Sequence, residues 1–228
     1  VFNKADTVRG VQIAGVVNLT KEASGTTQLA SILNHSESTV GNQIAGLANK
    51  AKKVKGIQLA GIVNIADSSD YPIGLLNFIK NCEKSLSVAI NEDSYLGLQF
   101  RSGGRVLYSL LSINVAPEGN RPDKYAFEAG LGAVVLNGAK FSLRTEITAR
   151  NLLTEKFKML DNHQSSLRVI PAFKLSERMS IFVAPSLNYA ERDENSIYGG
   201  STVWKAWRRD RTRNTFYGGG MAGLMLKL

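Results

Sequence analysis

The segment Ser201–Asn214 reads STVWKAWRRDRTRN and gathers Trp204, Lys205, Trp207, Arg208, Arg209, Arg211 and Arg213 within ten residues. Guanidinium groups grip phosphate and carboxylate through two parallel hydrogen bonds. Tryptophan stacks on sugars or bases, or anchors at a membrane interface. Such a segment could hold an anionic glycan or lipid, a lipopolysaccharide phosphate among them. The plainer account is a solvated loop or strand extension whose cations touch lipid headgroups.

A second grouping has the residue types of acyl chemistry. His163 stands beside Ser165 and Ser166, at the end of a stretch, NLLTEKFKMLDNHQ (151–164), that reads as a long loop. An enzyme working on lipid from a barrel rim needs a histidine converging with a serine or a carboxylate. The sequence names no third partner, and a polar loop accounts for the residues, so no catalytic residue is assigned. SGGR (102–105) and YGGG (217–220) are glycine turns, because no Lys-Ser or Lys-Thr pair follows them. His35 and His163 lie far apart and Cys82 is the single cysteine, so no metal cluster, internal disulfide or cofactor is expected.

These residues need elements to position them, and the first half of the chain announces its own. GVQIAGVVNLTK (10–21), GNQIAGLANKAK (41–52) and GIQLAGIVNIAD (56–67) share the frame G-x-Q-(I/L)-A-G-x-x-N. Gln12, Gln28, Gln43 and Gln58 are spaced by 16, 15 and 15 residues, and Asn18, Asn34, Asn49 and Asn64 follow at the same spacings. Asn77 continues the series 13 residues on, and TTQLASILN (26–34) is a degenerate unit with Ser31 in place of Gly15, Gly46 and Gly61. So short a unit cannot bury its own apolar face and must stack. Alternation within each unit marks a strand. Identical amides at identical positions can form hydrogen-bonded ladders along a stack. A stacked β-repeat over residues 1–84 is therefore favoured. An antiparallel meander, or extra strands of a wider barrel, are the other geometries open to it. A binding face on the Gln and Asn rows is the functional alternative to ladder chemistry.

From about Ser85 eight alternating segments follow: Leu86–Ile90, Tyr95–Phe100, Arg105–Val115, Tyr125–Leu136, Lys140–Arg150, Ser165–Leu175, Met179–Ala190 and Thr215–Leu228. The first two look short. One face carries Phe127, Leu131, Phe141, Ile147, Leu167, Phe173, Ile181, Val183 and Leu224; the other carries Glu128, Arg144, Glu146, Arg168 and Lys174. A membrane barrel turns the apolar face outward and pairs its charges inside, here Arg144 with Glu146 or Glu128. Connections SGG (102–104), NG (137–138) and SER (176–178) are short. On the other side PEGNRPDK (117–124), residues 151–164 and residues 191–214 are long. That asymmetry belongs to outer-membrane barrels. The expected fold is all-β: a stacked β-repeat region (1–84), then an antiparallel, eight-stranded outer-membrane-type barrel (85–228) with long loops at the cell surface.

With 28 basic against 19 acidic residues the chain carries +9 and favours anionic partners. Nucleic acid is not expected, since no RRM, KH or zinc motif is present. No apolar run reaches the roughly 18 residues of a membrane-spanning helix, which excludes a helical membrane protein and leaves a barrel open. The chain begins at Val1, which implies a translation start upstream.

GVQIAGVVNLTKEASG, KKVKGIQLAGIVNIADSSDYPIGLLNFIKN and FRSGGRVLY together resemble the surface-repeat proteins of Bacteroidota, described after a leptospiral surface repeat. The resemblance covers about residues 9–110. In such proteins the repeats often follow a TonB/secretin short N-terminal domain and a carboxypeptidase-like regulatory domain. It implies a bacterial outer-membrane location and other envelope proteins as partners, and it carries over no catalytic residue. The resulting expectation is a non-catalytic interaction or ligand-sensing module, a subunit of a larger envelope complex, touching outer-membrane lipid or lipopolysaccharide. A lipid-modifying barrel enzyme and a soluble β-repeat adhesin are the alternatives.

Overall fold

The computed structural model describes residues 1–80, 82, 84–116, 124–153, 159–193, 202–209 and 212–228. Every regular element among them is a strand, and they fall into two sheets. Two compact units result: Val1–Lys84 with Arg101–Ser109, and Ser85–Phe100 with Leu110–Leu228.

The first unit is a parallel β-solenoid, not a meander and not part of a wider barrel. Its strands are β1 (Phe2–Thr7), β2 (Val11–Ala14), β3 (Val17–Glu22), β4 (Thr27–Ala30) and β5 (Leu33–Ser36). They continue as β6 (Thr39–Val40), β7 (Asn42–Ala45), β8 (Ala48–Ala60), β9 (Val63–Ile73) and β10 (Leu76–Ile79). β2, β4, β7 and the end of β8 stack in parallel and place Gln12, Gln28, Gln43 and Gln58 in register. β1, β3, β5, the start of β8, β9 and β10 do the same for Asn3, Asn18, Asn34, Asn49, Asn64 and Asn77. In-register parallel stacking wins because each buried amide then finds its own kind one rung away, and a buried polar group without a partner is costly.

The interior of this unit is polar where the ladders run and apolar beyond them, at Ala23, Val40, Ala51, Val54, Ala66 and Ile79. Alanines 14, 45 and 60 are buried beside the glutamines. The glycine of the A-G step has a steric cause: a Cβ on Gly46 would strike the Ser31 carbonyl, and one on Gly61 the Gly46 carbonyl. The outward face is aliphatic, with Ile13, Ile44, Leu59, Ile32, Leu47 and Ile62 exposed.

The second sheet is antiparallel. It consists of β11 (Lys84–Asn91), β12 (Leu96–Gly103), β13 (Leu107–Val115), β14 (Tyr125–Asn137), β15 (Phe141–Leu153), β16 (Met159–Lys174), β17 (Met179–Asp193), β18 (Thr202–Arg209) and β19 (Thr212–Lys227). The order β11-β12-β13-β14-β15-β16-β17-β19 closes through β19 onto β11, giving a barrel of eight strands. β11 pairs with residues 221–227 of β19, and β18 pairs with residues 212–218. β18 thus prolongs the wall along β19 beyond the end of β11.

Three expectations need correction. The first two barrel strands are eight residues each, because they extend over polar or small residues that the apolar alternation does not reach: Lys84, Ser85 and Asn91 in the first, and Arg101, Ser102 and Gly103 in the second. Residues 151–164 and 191–214 are not simple loops: β15 runs to Leu153, β16 starts at Met159, and β18 lies inside the second stretch. Paired polar residues on two-sided strands hide their strand character from hydropathy alone. The repeat unit also takes in Arg101–Ser109, which the sequence reading assigns to the second region.

Candidate functional site

The barrel is inverted relative to a water-soluble one. Leu131, Val135, Ile147, Leu167, Phe173, Val183 and Leu224 are exposed on the outside, Ile147 by 67%. Inside lie Glu128, Glu146, Thr148, Arg150, Gln164, Ser166, Arg168 and Asn188, all essentially closed to solvent. Arg168 approaches Glu128 at 2.5 Å, and Arg150 lies 3.5 Å from Glu128 and 3.8 Å from Asp93. Such charges persist in a dry interior only when paired. Arg144 Nη1 points at the sulfur of Met225 at 3.2 Å. Lys174 is not an interior charge: half-buried, it donates to Asn137 Oδ1 and the Gly138 carbonyl, each at 2.7 Å. Sequence reading missed Arg150 because it closes its segment, where a lumen-facing cation looks like a loop residue. The lumen is not wholly polar: Ile170, Ala172, Phe182, Ala184, Met221, Met225 and Ala89 form an apolar layer within it.

On the outer wall the register aligns three levels across neighbouring strands. Leu131, Ile147, Leu167 and Leu187 form an apolar level. One step along the strands stand Ala149, Ser165, Tyr189, Phe216 and Lys205. One step further stand Asn151, His163, Glu191, Asn214 and Trp207. The aliphatic wall therefore gives way at one boundary to aromatic, basic and hydrogen-bonding residues. Tyr189, Trp207 and Phe216 pack together with ring centroids 5.2–6.1 Å apart, and the Tyr189 hydroxyl donates to Asn214 Oδ1 at 2.6 Å. Lys205 Nζ lies 5.9 Å from the Trp207 ring, and Trp204, 63% exposed, covers Gly218.

Of the basic segment, Trp204, Lys205 and Trp207 thus meet on one wall, and Arg213 is exposed. Arg213 stands in register between Arg192 and Arg208, while Arg209 is opposite Thr212. Arg211 lies outside the described residues.

In the solenoid the ladder residues make bonds to one another rather than a binding face. Asn18, Asn34, Asn49 and Asn64 each donate to the next asparagine's Oδ1 at 2.9–3.0 Å. The same amides hold the next strand's carbonyls of Leu29, Ile44, Leu59 and Ile73 at 2.6–2.9 Å. The glutamine ladder runs the other way: Gln28, Gln43 and Gln58 donate to the preceding Oε1 at 2.8, 2.8 and 3.1 Å. Asn3, overlooked in the sequence for want of a glutamine before it, begins the asparagine row. Asn77 ends it by donating to Ser109 Oγ at 2.8 Å.

Fold and sites define a class: a closed eight-stranded antiparallel barrel with an apolar outer wall, in one chain with a parallel solenoid of amide ladders. No family model, curated protein or solved structure matches the chain.

Proposed function

We propose that this chain is a bacterial outer-membrane surface protein, its barrel embedded in the bilayer and its long connections at the cell surface. One observation carries the reading: the closed barrel is apolar outside and charged inside. In water such an outer wall would be an apolar patch far larger than soluble monomers tolerate, whereas in hydrocarbon it is the matched surface. Closure leaves no sheet edge to satisfy in lipid. Its likeness to the surface-repeat proteins of Bacteroidota agrees with this placement.

At the rim, Trp204, Lys205 and Trp207 supply a site for the phosphate of a membrane lipid or lipopolysaccharide, in a segment whose sequence adds Arg208, Arg209, Arg211 and Arg213. The aromatic cluster sits where a membrane barrel places its interfacial girdle. The solenoid's exposed aliphatic columns suit docking to other envelope proteins.

The test is binding of the detergent-purified protein to vesicles with and without phosphatidylglycerol, over a salt series. Binding that requires the anionic lipid and weakens with salt supports the reading. Salt-insensitive binding that survives replacement of Arg208, Arg209, Arg211 and Arg213 by Ser contradicts it.

A further inference from the structure

Three side chains on the outer wall are joined by hydrogen bonds in a sequence that has chemical meaning. Asn151 Oδ1 lies 3.0 Å from His163 Nδ1, and His163 Nε2 lies 3.2 Å from Ser165 Oγ. One tautomer satisfies both contacts: Nδ1–H donates to the asparagine oxygen, and Nε2 accepts from the serine hydroxyl. That is the order of nucleophile, base and orienting group. The sequence reading had His163 beside its serines and lacked a third member. It lacked one because Asn151 is twelve residues away and reaches His163 only through the β15–β16 pairing, where the two stand directly opposite.

The local backbone and the position on the wall both argue for more than a satisfied surface histidine. The β15–β16 register shifts between Asn151 and Leu153, beside the orienting residue. Bulges of this kind re-aim side chains and recur next to active sites. Along the outward side of β16, Phe173, Val169 and Leu167 are exposed aliphatic or aromatic positions, and Ser165 is the first polar one after them. Ser165 therefore stands about 7 Å along the strand from Leu167, at the edge of the apolar belt. In a bilayer the carboxylic ester bonds of lipids occupy that depth, between the acyl chains and the charged headgroups. Here acyl chains would lie on Leu167, Leu187 and Ile147, and a phosphate would face Lys205.

We propose that Ser165, His163 and Asn151 form an acyl-transfer site that cleaves the carboxylic ester of a membrane lipid. The inference rests on the membrane reading above and goes beyond it. Ser165 Oγ attacks the ester carbonyl while its proton passes to His163 Nε2. The tetrahedral intermediate collapses, the bond from the acyl carbon to the alcohol oxygen breaks, and His163 returns the proton to that oxygen. Water then attacks the acyl-serine, with His163 again taking and returning a proton, and a fatty acid leaves. Asn151 touches no substrate; it is the positioning residue that fixes the imidazole tautomer.

The test uses the whole chain in detergent micelles, its fold checked by heat-modifiable migration. The probes are a long-chain alkyl sulfonyl fluoride, which caps an activated serine, and vesicles of phosphatidylethanolamine with phosphatidylglycerol. Mass spectrometry should find the label on Ser165, and released fatty acid should disappear in folded Ser165→Ala. His163→Ala should lower both signals by at least about 100-fold. Asn151→Ala should lower kcat with KM little changed and shift the acid limb of the pH profile, with partial rescue by Asn151→Asp. A folded, membrane-embedded wild type that releases no fatty acid and leaves Ser165 unlabelled would overturn the site while leaving the membrane reading intact. A labelled Ser165 in a protein that stays in water without detergent would overturn the lipid assignment instead.

Discussion

Gln58 and Pro72 stand opposite each other in adjacent rungs of the solenoid, and their pairing ends the glutamine ladder. Gln58 donates back to Gln43, but its own Oε1 is buried and has no partner, since proline offers no side-chain amide. An unsatisfied buried acceptor costs about 1–3 kcal/mol. Pro72→Gln should complete the row and raise solenoid stability by about 1 kcal/mol. Urea unfolding checks it; an unchanged or lowered midpoint contradicts the ladder account.

The asparagine ladder predicts a gradient. Asn49 accepts from Asn34 and donates to Asn64 and the Leu59 carbonyl, while Asn3 has only downstream neighbours. Asn49→Ala removes one amide and strands two more, so it should cost about 2–4 kcal/mol, against about 1 kcal/mol for Asn3→Ala. Equal losses at the two positions would mean the rungs do not communicate through their amides.

Glu128 is the buried anion that Arg150 and Arg168 share. Glu128→Gln leaves two buried guanidinium groups short of a carboxylate and should destabilise the barrel by about 3–5 kcal/mol. Adding Arg168→Met should recover part of that loss, since the pair is coupled. Strictly additive losses in micelle unfolding would show that the pair does not interact.

The turn after β11 carries a pH response. Burial pushes the Glu92 carboxyl above the usual range, and neighbouring Asp93 adds to the shift. Its oxygens accept from Asn188 Nδ2 at 3.1 Å and the Gly220 N–H at 3.2 Å. A carboxyl whose folded pKa exceeds its unfolded value holds a proton more tightly when folded. Its contribution is present at acid pH and is lost as pH climbs from the ordinary carboxylate range through the raised value. Glu92→Gln should therefore gain Tm over wild type as pH rises above the ordinary carboxylate range. A Tm difference that ignores pH contradicts this.

The sequence made the ladders legible because each amide recurs at a fixed interval and does one structural job at every recurrence. It made the barrel strands legible because period-two alternation separates Ile147 from Glu146 and Thr148. What it hid depends on pairing. Asn151 and His163 become neighbours only once β15 and β16 have a register, which runs unbroken from Phe141 opposite Phe173 to that pair. Arg150 and Glu128 meet across strands for the same reason. Lys174 has the inward parity of Arg168, yet it lies at the strand end, where parity no longer means burial. β18 was masked by its own charge, since Trp-Lys-Ala-Trp-Arg-Arg alternates weakly and reads as loop.

The measurement that bears most directly on the central claim is envelope fractionation followed by unboiled and boiled migration in detergent gels. The account predicts recovery in the outer-membrane fraction, resistance to carbonate extraction, and faster migration when unboiled, as a closed barrel stays compact in detergent. Recovery as a soluble protein with a single heat-insensitive band would contradict it, and would make the apolar wall the contact surface of another protein.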